Sequence, residues 1–593
     1  MKGLLTGNEA VARGVWEAGV EYAAAYPGTP STEILETLST YKEICAEWAP
    51  NEKVALESAI GASIAGGRAM ASMKHVGLNV AADPFFTFAY TGVNGGAVII
   101  TADEPGQHSA QNEQDNRNYA KSAKVPMFEP ANSQECRDMV LEAYEISEKY
   151  DCPVLIRMTT RVCHGKSIVE CGERKEVAIK EYHKDVKKYV CVPANAKELR
   201  KKLEDKLVQL KEYAETTRFN IVEETPGATI GVIASGPCYH YAKEAFGDTA
   251  SYLKLGFSFP MPDDLITEFC KKFDKIYIVE ENDPFIEERV KLLGFACHGK
   301  DLLPKYGEMT PDVIRKYFFD EEPNVIPYNS EGVVARPPTL CAGCPHRGFF
   351  YELGKRTDVM VSSDIGCYSL GFAKPYNATD SLICMGGGFS IGHGAQKVFN
   401  MQESKKRVVS VMGDSTFLHS GIASLMDVVY NNSNAVSVIL DNRITGMTGH
   451  QENPGTGYNA KGESATAIDI EGIVRAMGIK HIRTVNPNDL TEMKAVLDEF
   501  LALDEPSVII TKWPCALKKF SEEDKKQFVG AFTKKMKVNT DKCIGCKLCM
   551  KCGCPAISFD GENKKAVIDG IQCAGCGVCS QLCPKDAIEW KEA

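Results

Sequence analysis

Nine cysteines lie between residues 543 and 583, and their spacing restricts what this end of the chain can fold around. Cys573, Cys576, Cys579 and Cys583, with Pro584 behind them, spell C-x2-C-x2-C-x3-C-P. Cys543, Cys546 and Cys549 repeat the first three positions, and Cys554 again stands before a proline, Pro555. Short loops let successive thiolates converge on one cubane, while each Cys-Pro step leads the chain to another. The two halves match beyond their cysteines, since CPAISFDG is echoed by CPKDAIEW. Structural zinc pairs two C-x2-C hooks instead of triples, and disulfides do not persist in a reducing compartment. Spacing leaves one choice open. Cys552 sits inside the first unit and competes with Cys554 as ligand, although the proline after Cys554 favours the latter.

Two adjacent clusters form a short electron wire, and a wire needs a source in the rest of the chain. At 593 residues the whole chain is too long for one core, so ~three to five domains are expected. A net charge of −11 argues against a nucleic-acid partner, whose phosphates demand a basic face. MKGLLTGNEAVARG lacks a signal-peptide core, and no apolar run approaches the ~18 residues of a membrane span. A cytoplasmic protein with no membrane contact is expected.

The tail resembles a bacterial-type two-[4Fe–4S] ferredoxin. That resemblance implies Cys543, Cys546, Cys549 and Cys583 as ligands of one cluster, and Cys573, Cys576, Cys579 and Cys554 as ligands of the other.

The segment RVVSVMGDSTF from 407 reads as a buried parallel strand ending at Gly413-Asp414-Ser415, and AVSVILDN as a second strand ending at Asn442. Open α/β sheets place ligands at such carboxyl ends, and Asp414 with Asn442 offers oxygen ligands to Mg2+. Two ordinary strand-end turns are the plainer reading of the pair. The pattern resembles the thiamine diphosphate motif, G-D-G followed by a distant N, with serine at the third position. The resemblance implies Gly413, Asp414, Ser415, Asn442 and the carbonyl of Ile444 around Mg2+ and the diphosphate. MGGGFSIGHGAQKV (385–398) is expected to bring backbone close to that cofactor.

Thiamine enzymes need a glutamate at the aminopyrimidine ring, and the helix NEKVALESAIGASIAGGRAM (51–70) offers Glu52 and Glu57. In the family this acid lies nine positions before a glycine at a close-packed turn, which selects Glu52, nine before Gly61. Glu57 is the alternative, with a structural role otherwise. Such a carboxylate helps the ring remove its own C2 proton.

YPGTPSTE (26–33) resembles the Y-P-x-T-P-S loop of the 2-oxoacid:ferredoxin oxidoreductases, which implies that Thr29 contacts the substrate carboxylate. The stretches MKHVGLNVAADP, QHSAQNEQDNRNYA, PPTLCAGCPHRGFFY and SDIGCYSLG are similar to the large subunit of the indolepyruvate branch of that family. The resemblance implies ferredoxin-dependent oxidative decarboxylation of arylpyruvates: indolepyruvate, coenzyme A and oxidised ferredoxin give indoleacetyl-CoA, CO2 and reduced ferredoxin. It implies thiamine diphosphate, Mg2+ and two [4Fe–4S] clusters as cofactors and coenzyme A as co-substrate. Its expected partners are a smaller beta subunit, in an alpha2beta2 heterotetramer, and an external ferredoxin. Sister enzymes bind a further cluster through cysteines placed like Cys341, Cys344, Cys367 and Cys515, whereas the indolepyruvate branch is credited with only the tail clusters, so a third cluster stays open. The ten remaining cysteines, Cys45 and Cys238 among them, show no ligand spacing. A non-oxidative thiamine decarboxylase would leave the clusters without a purpose. An electron-transfer subunit of another 2-oxoacid oxidoreductase would leave Asp414, Asn442 and Glu52 without one.

The fold class that follows is α/β, a multidomain thiamine-diphosphate-binding fold of doubly wound parallel sheets with a C-terminal α+β two-[4Fe–4S] ferredoxin domain. Expected boundaries are 1–185 for the pyrimidine-binding domain and 190–325 for a domain resembling the transketolase C-terminal domain. The Mg2+/pyrophosphate domain follows at 335–515, then a charged linker at 516–535 and the ferredoxin domain at 536–593.

Overall fold

The structure is a computed structural model that describes residues 1–323 and 325–592, so Asn324 and Ala593, each near the end of an expected domain, lie outside the described residues. It divides into two compact units, Met1–Asn329 and Ser330–Ala593.

In the first unit a seven-stranded sheet runs in the order Phe257–Phe259, Met127–Phe128, Val154–Thr159, Ala97–Asp103, Ala69–Lys74, Tyr22–Ala25, Cys45–Trp48. All neighbours are parallel except the Phe257–Phe259 edge. Inner strands such as AVIITAD are buried at every residue, the continuous apolar reading expected of a sheet covered on both faces. Separate hydrophobic clusters lie on its two sides. A smaller sheet, Lys275–Val279, Ile230–Ser235, Ala250–Leu255 and Asn220–Glu223, closes the unit, with only the last strand antiparallel. The edge strand Phe257–Phe259 belongs by sequence to the 190–325 stretch yet completes the sheet of the preceding one, so these two expected domains share a sheet. The Pro193–Thr216 helix buries Leu203 and Leu210 as its spacing suggests, while Leu207 is only half-buried.

The second unit is built on a parallel sheet ordered Val359–Ser362, Arg407–Gly413, Val436–Asp441, Ser507–Lys512, His481–Val485. Because Arg407–Gly413 and Val436–Asp441 are neighbours in register, their carboxyl ends deliver Asp414 and Asn442 to one rim. The helix Gly388–Met401 lies close on the strand that follows it, Arg407–Gly413: a Cβ at Gly392 would stand 1.9 Å from Ser410 Oγ. Beyond the sheet, the charged connector holds a short helix, Glu522–Gln527, docked by a buried Lys518–Asp524 ion pair at 2.5 Å. The strand that opens the tail begins at Lys534, two residues inside the expected linker, and pairs with Ile588–Glu592. A second small pair joins Ile557–Asp560 to Lys565–Ile568. The tail is anchored to the sheet domain where the Gln581 amide accepts from Leu490 N (2.9 Å) and donates to the Asn488 carbonyl (2.7 Å).

Candidate active site

In the first unit, Thr29 is half-buried in the turn after the strand Tyr22–Ala25, at the carboxyl end of the sheet. Lys74 packs on that turn, 3.2 Å from where a Cβ on Gly28 would stand, and its ammonium pairs with the buried Glu104 at 3.1 Å. The two candidate acids separate clearly. Glu52 opens the Glu52–Ile64 helix behind the Asn51 cap and is buried. Its carboxylate lies against Gly77 so closely that a Cβ there would be 2.7 Å from Oε1. Glu57 is exposed and pairs with Lys53 on the helix surface. Gly61 does not meet the expectation of a close-packed turn: it is exposed, and nothing lies within 4 Å of a Cβ built on it.

In the second unit, burial and the neighbouring Asp441 carboxylate push the Asp414 carboxyl up to about 7, against the pull of the Ser415 N–H and Asn453. A buried carboxylate beside another is a place a divalent cation would compensate, so the donor set fits Mg2+. Asn442 is also buried, and its Nδ2 lies 3.5 Å from His346 Nε2. An amide NH2 can only donate, so that ring nitrogen accepts. Burial pushes His346 down to about 4, which keeps the ring neutral and able to do so. Asn442 Oδ1 accepts from Ile444 N at 3.2 Å, and Ser415 Oγ accepts from Thr445 Oγ1 at 2.9 Å, which brings the motif residues onto one rim.

The glycine-rich turn differs from expectation. Asp364, buried and pushed up to about 6 by that burial, accepts from the N–H groups of Gly386 (2.9 Å) and Gly388 (2.7 Å). The N–H of Gly387 is taken by the Cys384 carbonyl. The three amides are therefore engaged within the protein, and the glycines serve close packing: a Cβ at Gly386 would overlap Ser420 Oγ at 1.8 Å.

The tail sorts its thiols into two rings. Cys543, Cys546, Cys549 and Cys583 line one small pocket. Cys554, Cys573, Cys576 and Cys579 line another, with Cys552 also on its wall. Among the described residues no three His, Cys, Asp or Glu side chains converge on one ion-sized point; the thiols enclose space instead. Backbone N–H groups aim at sulfur, from Met536 to Cys573 (3.4 Å) and from Ala587 to Cys583 (3.2 Å), while the Ala566 N–H holds the Cys543 thiol below its usual range. Such donors favour thiolates and suit an iron–sulfur group. Cys552 points elsewhere: its buried thiol, pushed up to about 12 by that burial, donates to the Cys549 carbonyl at 3.0 Å.

The fold also gathers Cys341, Cys344, Cys367 and Cys515, which are near enough to perturb one another and, for Cys367 and Cys515, to feel Asp414. Cys515 N donates to the Asn442 carbonyl at 3.0 Å. Gly343, between the two hook cysteines, has φ +75° and leaves no room for a side chain, since its Cβ would be 2.4 Å from that of Ala574 in the Cys573–Cys576 loop.

Three family models match this chain: pyruvate flavodoxin/ferredoxin oxidoreductase, thiamine diP-bdg, over residues 13–220; thiamine pyrophosphate enzyme, C-terminal TPP binding domain, over 364–511; and 4Fe-4S dicluster domain, over 535–584. The indolepyruvate oxidoreductase subunit IorA of Archaeoglobus fulgidus is 41% identical, the match covering 99% of this chain and 97% of that protein. The chain belongs to the IorA family. IorA proteins of Pyrococcus abyssi and Methanothermobacter marburgensis are each 40% identical, over 99% of this chain and 96% and 97% of theirs.

In this IorA-family chain, sequence reasoning passed over two residues at the rim and its glycine-rich turn, His346 and Asp364, and one that reaches to the tail, Arg347. His346, Arg347 and Asp364 lie inside quoted stretches, CPHRG and SDIG, but carry no spacing of their own. The His-Arg pair directly behind the C-x2-C-P hook is the one signal that could have drawn notice to the first two.

Proposed function

We propose that this chain is the large subunit of an indolepyruvate:ferredoxin oxidoreductase that converts indolepyruvate, coenzyme A and oxidised ferredoxin to indoleacetyl-CoA, CO2 and reduced ferredoxin. The observation that carries the reading is the company Asp414 and Asn442 keep: one unit holds this buried oxygen pair with Cys515 N hydrogen-bonded to the Asn442 carbonyl, a thiol hook against the Cys573–Cys576 loop, and two thiol-lined pockets. When bound, thiamine diphosphate supplies a carbon nucleophile and electron sink, and the iron–sulfur clusters supply one-electron transfer.

The chain's own residues divide the work. Asp414, Asn442 and the Ile444 carbonyl hold Mg2+, with Gly413 and Ser415 shaping the rim; His346 fixes which end of the Asn442 amide is left to face it. Glu52, buried at a helix start, hydrogen-bonds the aminopyrimidine and thereby governs its proton. Thr29 donates to the substrate carboxylate. Cys543, Cys546, Cys549 and Cys583 bind one cluster, and Cys554, Cys573, Cys576 and Cys579 another, with Cys552 a neighbour of the second and not a ligand. Cys341, Cys344, Cys367 and Cys515 bind a third, a reading supported by the nearness of Cys367 and Cys515 to Asp414 and by the packing of the Cys341–Cys344 hook on the Cys573–Cys576 loop. A smaller beta subunit completes an alpha2beta2 heterotetramer, and an external ferredoxin removes the electrons. Among the described residues no helix is long and apolar enough to cross a membrane, in keeping with a cytoplasmic enzyme.

Anaerobic incubation of the co-expressed subunits with indolepyruvate and coenzyme A tests the reaction. Viologen reduction together with an acyl thioester is expected; aldehyde without reduction would replace the reading with a non-oxidative decarboxylase. Iron analysis tests the ligand sets, with about twelve irons per chain for three clusters and about eight for two.

A further inference from the structure

Arg347 is completely buried in the second unit, on the helix His346–Leu353 that follows the Cys341/Cys344 hook. Nη1 donates to Tyr376 OH (2.6 Å) and to the Cys552 carbonyl (2.8 Å). Nη2 donates to the carbonyls of Leu340 (2.7 Å) and Cys341 (2.8 Å), and Nε is buried without a hydrogen-bond partner. Every acceptor is neutral, and among the described residues no carboxylate pairs with this guanidinium.

The first unit shows what the same chain does with other buried arginines. Arg117 is paired with Asp115 at 2.5 Å and Glu280 at 2.7 Å, and Arg157 with Asp103 at 2.8 Å and Glu129 at 3.0 Å. A buried cation without a counter-charge carries a large desolvation penalty, so Arg347 needs an anion that the polypeptide's carboxylates do not provide. The anions within its reach are thiolates. Arg347 lines the cavity ringed by Cys554, Cys573, Cys576 and Cys579. Its own ionisation is held up against burial by Tyr376, Cys554, Cys344 and Cys552. A cubane on four thiolates is a net anion and gains one more negative charge on reduction.

We propose that Arg347 is the counter-ion of the cluster bound by Cys554, Cys573, Cys576 and Cys579, and that it sets that cluster's reduction potential above that of its neighbour in the tail. The inference rests on the reading of the thiol rings as cluster sites. A charge fixed in the low-dielectric interior acts strongly on the added electron. Of the basic side chains at the other ring, Lys547 and Lys585 are exposed and screened by water and salt, and Lys565, which donates to the Cys543 carbonyl at 2.5 Å, is only half-buried and so partly screened, unlike the fully buried Arg347. The same guanidinium also grips the carbonyls of the Cys341 hook, so the favoured electron acceptor is the tail cluster facing the Asp414 rim. The electron is thus drawn off the thiamine side first and handed outward second.

An EPR-monitored redox titration of the full chain in its complex with the smaller subunit tests this, comparing wild type, Arg347→Lys and Arg347→Met after iron analysis. In Arg347→Met one tail cluster is expected to fall by at least 59 mV, a tenfold change in its oxidised-to-reduced ratio, while the other stays fixed. Arg347→Lys, which keeps the charge, is expected to stay near wild type. Unshifted potentials in Arg347→Met overturn the proposal, as do equal shifts in both variants, which would mark a geometric role. Should Arg347→Met not retain iron, wild type labelled with 15N-guanidino arginine decides: electron spin-echo modulation from that nitrogen is expected on the tail cluster that reduces first, and its absence overturns the proposal. Fewer than about eight irons in wild type would instead remove the reading of the rings, and the proposal with it.

Discussion

The rim that carries Asp414 and the tail that carries the thiol rings are both parts of the second unit, yet they are held together by different means. The rim stands on five parallel strands whose core is mostly valine, leucine and phenylalanine, so its geometry exists before any cofactor arrives. The tail has two two-stranded sheets and a core in which cysteine is the commonest residue: Cys549, Cys552 and Cys579 are buried, with Cys543, Cys554, Cys573, Cys576 and Cys583 packed around them. A small domain with so little aliphatic interior depends on its metal to fold. One site is placed by the protein for its ligand; the other is a protein segment placed by its ligand.

Removing iron is the strongest way to break that contrast. Chelation under reducing conditions is expected to abolish amide protection across residues 534–592 while strands such as Arg407–Gly413 keep theirs, read by hydrogen exchange; a tail that stays protected without iron would erase the distinction. Next in size, Asp414→Ala is expected to reduce activity at least ~100-fold by loss of Mg2+, with the iron content and the melting of the sheet domain unchanged. Glu52→Gln should lower turnover by ~10²- to 10⁴-fold, the usual worth of a positioned acid–base group, while Glu57→Gln should stay within about twofold of wild type, as for an exposed surface ion pair.

A pH titration sharpens the comparison further. The Asp414 carboxyl lies up near 7, so at pH 6 the ligand-free chain holds a proton that Mg2+ must displace. Binding of Mg2+ and thiamine diphosphate, followed calorimetrically, should tighten by about tenfold from pH 6 to pH 7.5 and level off above, since one proton is released per metal bound. The sign is reversed for the chain without ligands: a carboxyl raised in the folded state stabilises the fold at low pH, and that contribution disappears as pH rises towards 7. The smallest effect belongs to Cys552→Ser, which should keep the full iron complement, whereas Cys554→Ser should lose a cluster.

The sequence disclosed each region to the degree that its chemistry is local. Thiol ligands recur within a few residues of one another, and the Mg2+ pair lies at the ends of strands whose apolar runs are plain, so both were legible as patterns. Asp364 was not, because its role depends on amides more than twenty positions away, at Gly386 and Gly388. Arg347 was still less so: its acceptor at the Cys552 carbonyl is 205 residues distant, and nothing in the composition of either stretch announces the meeting. Counting to Gly61 selects Glu52 over Glu57, and the structure offers different support, a buried helix start beside Gly77 against an exposed surface pair. The edge strand at Phe257–Phe259 escaped notice because three residues carry no periodicity.

That short strand constrains how the gene can be cut. Phe257–Phe259 covers the margin of the sheet at Met127–Phe128, so a shortened version ending near residue 185 would leave raw peptide edge open to pairing with another molecule. Evolution or engineering that wanted the first sheet alone would have to invent a replacement seam, which makes the stretch behind it an inseparable passenger and not a detachable module.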